Sequence, residues 1–421
     1  MVGAVAYVVL TSGQGSHLFS NSSSSEVSTT TSLSASSTTS TGTSTTSVVT
    51  TMTSSSTTNE SVPTISSVAL GNVTINGYPA GIGVDANRSR VYVADLFANT
   101  LTVVDSSTRA VVKTITLPGT AEFGVAVDEK NGTVYVPVDG CTNEAGATNS
   151  CVSGSGAEPG EIVEVDESTE TIVGTIPIGV DRLAIDQADG VLYGAGGYPG
   201  PVNQTGFLLA VNSRGSVIGN LSLSVYPVGL AVDSQRNMVW LAGCTSVGLA
   251  CQSEIIGVRG APQLGRVLFN ASLPWDALNF GVAVDEASNM VYTMGETGSN
   301  LTLAAIYGAN GTVKYLSPIG SSCAGGGGGD LAVDPSTGAV YAASATGLFF
   351  LYLNGETGSI ISMVNETMGA QDVAFNPATD QPLVTLGDAS HQTFGYLVFL
   401  PEVPSQFYVE ASYLQRGVCL P

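Results

Sequence analysis

Gly124-Val125-Ala126-Val127-Asp128, followed a short turn later by Val134-Tyr135-Val136, is a phrase this chain writes seven times. It stands at 81–85 with 91–93, at 182–186 with 191–193, and at 229–233 with 239–241. It returns at 281–285 with 291–293, at 330–334 with 340–342, and in worn form at 372–376 with 382–384. The acids or amide that close the first half sit at 85, 128, 186, 233, 285, 334 and 376, so the separations are 43, 58, 47, 52, 49 and 42 residues. A unit of this size cannot bury its own apolar face and must stack on its neighbours.

Within the first repeat, 81–84 reads as a short strand of small and β-branched residues, and Asp85 ends it by offering its carboxylate to the backbone N–H groups of the next turn. Residues 91–94, 101–105 and 111–117 follow as three more strands separated by polar turns. Four antiparallel strands per repeat, seven repeats, and a period of roughly 40–50 residues predict an all-β fold, a seven-bladed β-propeller over residues 66–421. Gly and Ala dominate each first strand because the inner strands converge on a narrow axis. Residues 67–76 occupy the slot of an outer strand with no blade of its own. They are expected to pair with the last blade and close the ring, although 406–410 also reads as that blade's fourth strand.

Ahead of the repeats, residues 20–65 read as a disordered stalk: 31 of the 43 residues in 20–62 are Ser or Thr, too few of them apolar to offset the entropy of ordering. Residues 1–19 contain the apolar run Val2 to Leu10, too short to span a bilayer, and are read as the remnant of a signal peptide or membrane anchor. Sequons at Asn72, Asn87, Asn131, Asn203, Asn220, Asn270, Asn300, Asn310 and Asn365 fit glycosylation of an exported chain. So do six cysteines, Cys141 with Cys151, Cys244 with Cys251, and Cys323 with Cys419, none in a C-x-x-C spacing. They are expected to form disulfides in an oxidising compartment, with buried free thiols as the alternative.

The 421 residues carry a net charge of −22 with only 11% charged residues. That balance excludes a nucleic-acid partner and direct binding to an anionic membrane surface, both of which call for Lys and Arg. It serves solubility, or suits an acidic habitat in which carboxylates are largely protonated.

With the repeats laid out, the chain resembles the YVTN family of β-propellers, the YncE-like surface proteins of archaea and bacteria. Val91-Tyr92-Val93-Ala94-Asp95 is similar to the family's Tyr-Val-Thr-Asn strand end, and residues 99–105 followed by Val111-Val112 are similar to its next two strands. The resemblance spans 67–400. It implies a seven-bladed propeller, exported and attached to the envelope, and supplies no catalytic residue, because the family shares no single activity.

The loops before each first strand and after each second strand share one face, and the long insertions at 139–159, 195–205, 243–252 and 321–329 all fall there. Loops lengthened on one rim of a rigid scaffold are the expected place for binding. Glu122, Arg182, Trp275, Asp276, Asp330 and Asp372 enter this rim at or just before inner strands and are the candidate ligand-binding residues, with Arg182 facing Asp330 and Asp372 across the channel mouth. An internal ion-pair network is the alternative reading of the same charges. The chain has two histidines, no Gly-Lys pair and no metal-ligand spacing, so no catalytic residue and no cofactor is expected; the one exception is a Ca²⁺-like ion on Asp330 and Asp372, as in lactonase-type propellers. The expected function is a non-enzymatic binding or adhesion module at the cell surface, tethered by its N-terminal stalk and facing an extracellular protein or glycan. A structural envelope component and a metal-dependent hydrolase are the alternatives.

Overall fold

The computed structural model describes residues 70–140, 158–198, 205–247, 250–275, 281–297, 300–321, 329–344, 349–365, 368–387 and 394–402. The expected leader, 1–19, and the stalk, 20–65, lie outside them. Every regular element among the described residues is a β-strand, and the strands form seven four-stranded antiparallel sheets. Each sheet is one blade. The inner strands are Pro79–Asp85, Ala126–Asp128, Arg182–Asp186, Tyr226–Asp233, Val282–Asp285, Leu331–Val333 and Gly369–Asn376.

Stacking of neighbours, which the repeat demands, is visible in the core. Among the described residues seven clusters each lie between two adjacent blades, and a small eighth, Val228 with Cys244, lies within blade four. Tyr92, Leu101, Val134 and Val163, for example, bring blades one and two together, while Tyr292, Leu303, Leu351 and Leu353 do so for blades five and six. The large residue of each second strand supplies much of this area: Tyr92, Tyr193, Trp240, Tyr292 and Tyr341 are all buried. Where the ring of such a Tyr lies in one blade, its hydroxyl reaches the outer turn of the next. Tyr193 accepts the Ala261 N–H at 2.8 Å, and Tyr292 donates to the Gly355 carbonyl at 2.9 Å.

The ring closes as predicted. Gly71–Asn76 pairs antiparallel with Phe394–Phe399, so the first strand of the chain completes the last blade. One expectation is corrected here. The edge beside Phe394–Phe399 is filled by Gly71–Asn76, not by 406–410, which lie outside the described residues. Closure from the N-terminal side ties the two ends of the repeat array together and leaves that blade with its full four strands. A second correction concerns the axis. Of the three charged residues read as first positions of inner strands, only Arg182 opens one; Asp330 stands just ahead of Leu331–Val333, and Asp372 lies inside Gly369–Asn376.

The acid at each inner-strand end acts as anticipated. Asp85 accepts the Arg88 N–H at 2.8 Å, Asp128 the Asn131 N–H at 3.0 Å, and Asp233 the Arg236 N–H at 3.0 Å. Four residues after each of the seven acids or amides comes a left-handed residue: Ser89, Gly132, Gly190, Asn237, Asn289, Gly338 and Asp380. The turn therefore has one geometry throughout, a capped turn closed by a positive φ.

Candidate site at the channel mouth

The two faces of the disc differ. The Asp-capped turns and the turns between third and fourth strands share one face, where connections are short. The connections from second to third strand, and from blade to blade, share the other, and the longest among them are 141–157, then 117–125, 273–281 and 322–330. The strand Gly71–Asn76 starts level with Phe399 on the face of the Asp turns, so the chain enters the disc opposite its long loops.

On the long-loop face, the structure brings together four of the six candidate residues: Glu122, Arg182, Asp330 and Asp372. Arg182 is 9% exposed. Its Nε donates to the Val228 carbonyl at 2.8 Å, and its guanidinium lies over the Phe123 ring, 4.4 Å from the centroid. Asp372 is 6% exposed and is pinned from two blades: Oδ2 accepts the Ile82 N–H at 2.9 Å and Oδ1 the Val373 N–H at 2.7 Å. Its own N–H donates to Thr385 Oγ1 at 3.1 Å. Asp330 Oδ1 accepts the Leu331 N–H at 2.7 Å. Beside them, Tyr226 donates its hydroxyl to Asp181 Oδ2 at 2.9 Å.

The electrostatics follow from too many carboxylates around one guanidinium. Burial pushes Asp372 well above the usual carboxylate range, and the neighbouring Asp330 charge adds to it; Arg182 and the Ile82 and Val373 N–H groups oppose. Asp330 is raised by burial, against Arg182, the Leu331 N–H and its contact with Asp372. Glu122 is raised well above its ordinary value by burial, then by Asp181 and Asp139, with Arg182 opposing. Asp181 is raised by burial against the Tyr226 hydroxyl and Arg182. Glu122, Asp181 and Asp330 nonetheless keep part of their surface open, as groups lining a narrow wet channel do. No carboxylate stands within 4.0 Å of the Arg182 guanidinium among the described residues, although Glu122, Asp330 and Asp372 all feel its charge.

Trp275 is placed elsewhere. It is 3% exposed and packs with Trp240, Leu273 and Val282 between blades four and five. Asp276 lies outside the described residues. Asp330 and Asp372 each already accept backbone N–H bonds. Among the described residues no group of three or more His, Cys, Asp or Glu could hold a metal ion. Cys244 is buried and disulfide-bonded. Cys251 is described only in its backbone, and Cys141, Cys151, Cys323 and Cys419 lie outside the described residues. Asn72, Asn87, Asn131, Asn220, Asn270, Asn300 and Asn310 are all exposed; Asn203 and the Asn365 side chain are not described.

Two features went unread in the sequence, both on the opposite face. Arg88 Nη1 lies 2.7 Å from Asp85 Oδ2 and 2.7 Å from Glu167 Oε2, tying blades one and two. The Asp-x-x-Arg spacing, repeated at Asp233 and Arg236, was the signal for it. Between blades five and six, a groove of about 1100 Å³ is lined by Tyr307, Lys314, Tyr341, Glu356 and Glu402 among others. It arises from turns of two blades meeting and has no motif of its own.

No family model matches this chain, and no curated protein matches it. A search of solved structures returns the propeller. Hydrazine synthase of Kuenenia stuttgartiensis is similar in fold, with a TM-score of 0.58 and 14% identity over 79% of this chain and 97% of that one. At that identity the likeness is one of fold alone. With 1319 solved chains matching, the fold by itself selects no activity.

Proposed function

We propose that this protein is a non-enzymatic, cell-surface binding module that meets an extracellular protein or glycan through its long-loop face. One observation carries the reading. The chain enters the disc at Gly71, on the face of the short Asp-capped turns, while the long connections and the polar channel mouth lie on the other face. Loops lengthened on one rim of a rigid scaffold are where binding is expected. The Ser/Thr-rich composition of 20–65, the exposed sequons and the cysteines of the rim loops support export. Val91-Tyr92-Val93 and its repeats support kinship with the YVTN propellers, and we include that kinship in the proposal.

The test applies the full-length protein to a printed glycan array and to biotinylated surface proteins. Saturable binding should vanish when 141–157 and 322–328 are replaced by short Gly-Ser connections. It should persist when Ser336 and Glu356, on the opposite face, are substituted. Binding that survives the loop replacements would overturn the reading.

A further inference from the structure

We infer that the channel mouth is a binding site for a small zwitterion, an α-amino acid, with Arg182 taking its carboxylate and Asp330 with Asp372 taking its ammonium. The inference does not rest on the docking reading above.

Arg182 is the first observation. A guanidinium in a residue only 9% exposed normally finds a carboxylate or several carbonyls. Here Nε alone is used, on Val228, and the plane is fixed by Phe123. Nη1 and Nη2 make no hydrogen bond or ion pair among the described residues, and neither is sealed among protein atoms. Two parallel donors, held flat and open to the channel, fit the two oxygens of a carboxylate.

The carboxylates are the second observation, and it is independent of the first. Asp330 and Asp372 are close enough to Arg182 to feel its charge, yet neither lies within 4.0 Å of it. Backbone N–H groups instead hold them: Leu331 donates to Asp330, and Val373 and Ile82 donate to Asp372. A guanidinium and two carboxyl groups thus stand at one channel mouth without pairing. Asp330 packs closely on blade five: a Cβ on Gly281 would stand 2.6 Å from Asp330 Oδ1.

The ligand class follows by charge balance. A lone anion would face Glu122, Asp181, Asp330 and Asp372. A lone cation would face Arg182. A neutral sugar could hydrogen-bond to these groups but would neutralise neither charge. A compact molecule with a carboxylate and an ammonium on adjacent atoms satisfies both sides at once. Burial and mutual repulsion already favour a positive partner, proton or ammonium, on the Asp330–Asp372 pair.

Isothermal titration of the full-length protein tests this with glycine and L-alanine as probes, and with acetate and methylammonium as the two halves. Glycine or L-alanine should bind, and each half should bind about tenfold more weakly or worse, since one charge-assisted contact is worth at least that factor. Arg182→Gln and Asp330→Asn should each lower amino-acid affinity about tenfold or more while keeping the strand circular dichroism. If Arg182→Gln does not fold, Asp330→Asn decides, because its amide oxygen still accepts the Leu331 N–H. No heat with either amino acid up to about 10 mM would overturn the inference. Acetate or methylammonium binding as tightly as glycine would overturn it too, as would unchanged affinity in the variants that fold.

Discussion

A single conformational requirement recurs at the fourth position after each inner-strand acid or amide. Gly132, Gly190 and Gly338 meet it with φ near +70°, and Asn237 and Asn289 meet it with φ of 49° and 57°. Gly338 isolates the backbone term, because a Cβ there would find only Asp285 Oδ2, at 3.8 Å. Gly338→Ala should therefore cost about 1 kcal/mol in denaturant unfolding, purely for the left-handed backbone. Gly338→Asn should cost less, as asparagine already holds the same place in two other blades. Equal losses for Ala and Asn would show that packing, not φ, governs the position. These acids were legible in the sequence because a turn cap needs only local geometry. The partners of Arg182 were not, since Phe123 and Val228 reach it from blades two and four, 59 and 46 residues away along the chain.

At the level of elements, the blades carry a shared device on their outer strands. The register slips by one residue near the start of the fourth strand, leaving Val112, Val173 and Ile218 as bulged residues in blades one to three. A bulge twists an unpaired edge away from new partners, which lets these positions stay apolar and exposed, Val173 to 63%. The seam strand is the reverse case. Val73 and Ile75 are buried against Leu397, Phe399, Val91 and Val93, so Gly71–Asn76 bridges the last blade to the first. Ile75→Ala should lower stability by about 2–5 kcal/mol, measured by denaturant unfolding, whereas Val112→Ser should change it by about 0.5 kcal/mol or less. A small effect at Ile75 would mean that the ring holds without its seam.

Across the whole molecule, buried carboxyl groups outnumber their cations, and stability must depend on pH. Glu167 is pushed up to about 8 by burial first and then by Asp85, and its Oε1 accepts no hydrogen bond. Asp95 is pushed up to about 6 by burial, and its Oδ2 is likewise without a donor. Groups raised in the folded state bind protons more tightly there than when unfolded. Their stabilisation is complete below the ordinary carboxylate range, and it is lost as pH climbs through about 6 for Asp95 and about 8 for Glu167. Asp85, Asp105 and Asp166 are lowered, Asp105 by the Ser107 hydroxyl and the Thr108 N–H, so they lose stabilisation only in strong acid. The melting temperature should accordingly be highest near about pH 4 and should fall from there towards about pH 8, the fall flattening above about pH 6 in Glu167→Gln. A melting temperature that rises over that interval would refute the assignment.

Architecture could be read directly from residue order. Strand periodicity, turn caps and the spacing of seven acids or amides are local properties, and a repeat that cannot bury its own face must stack on its neighbours. The site could be read only as a set of positions. Which charges meet depends on how seven blades turn about one axis, and the same rotation that brought Arg182 to Asp330 and Asp372 placed Trp275 in the packing between two blades. Distance along the chain carries no information about that angle; the packing of large second-strand side chains between neighbouring blades sets it.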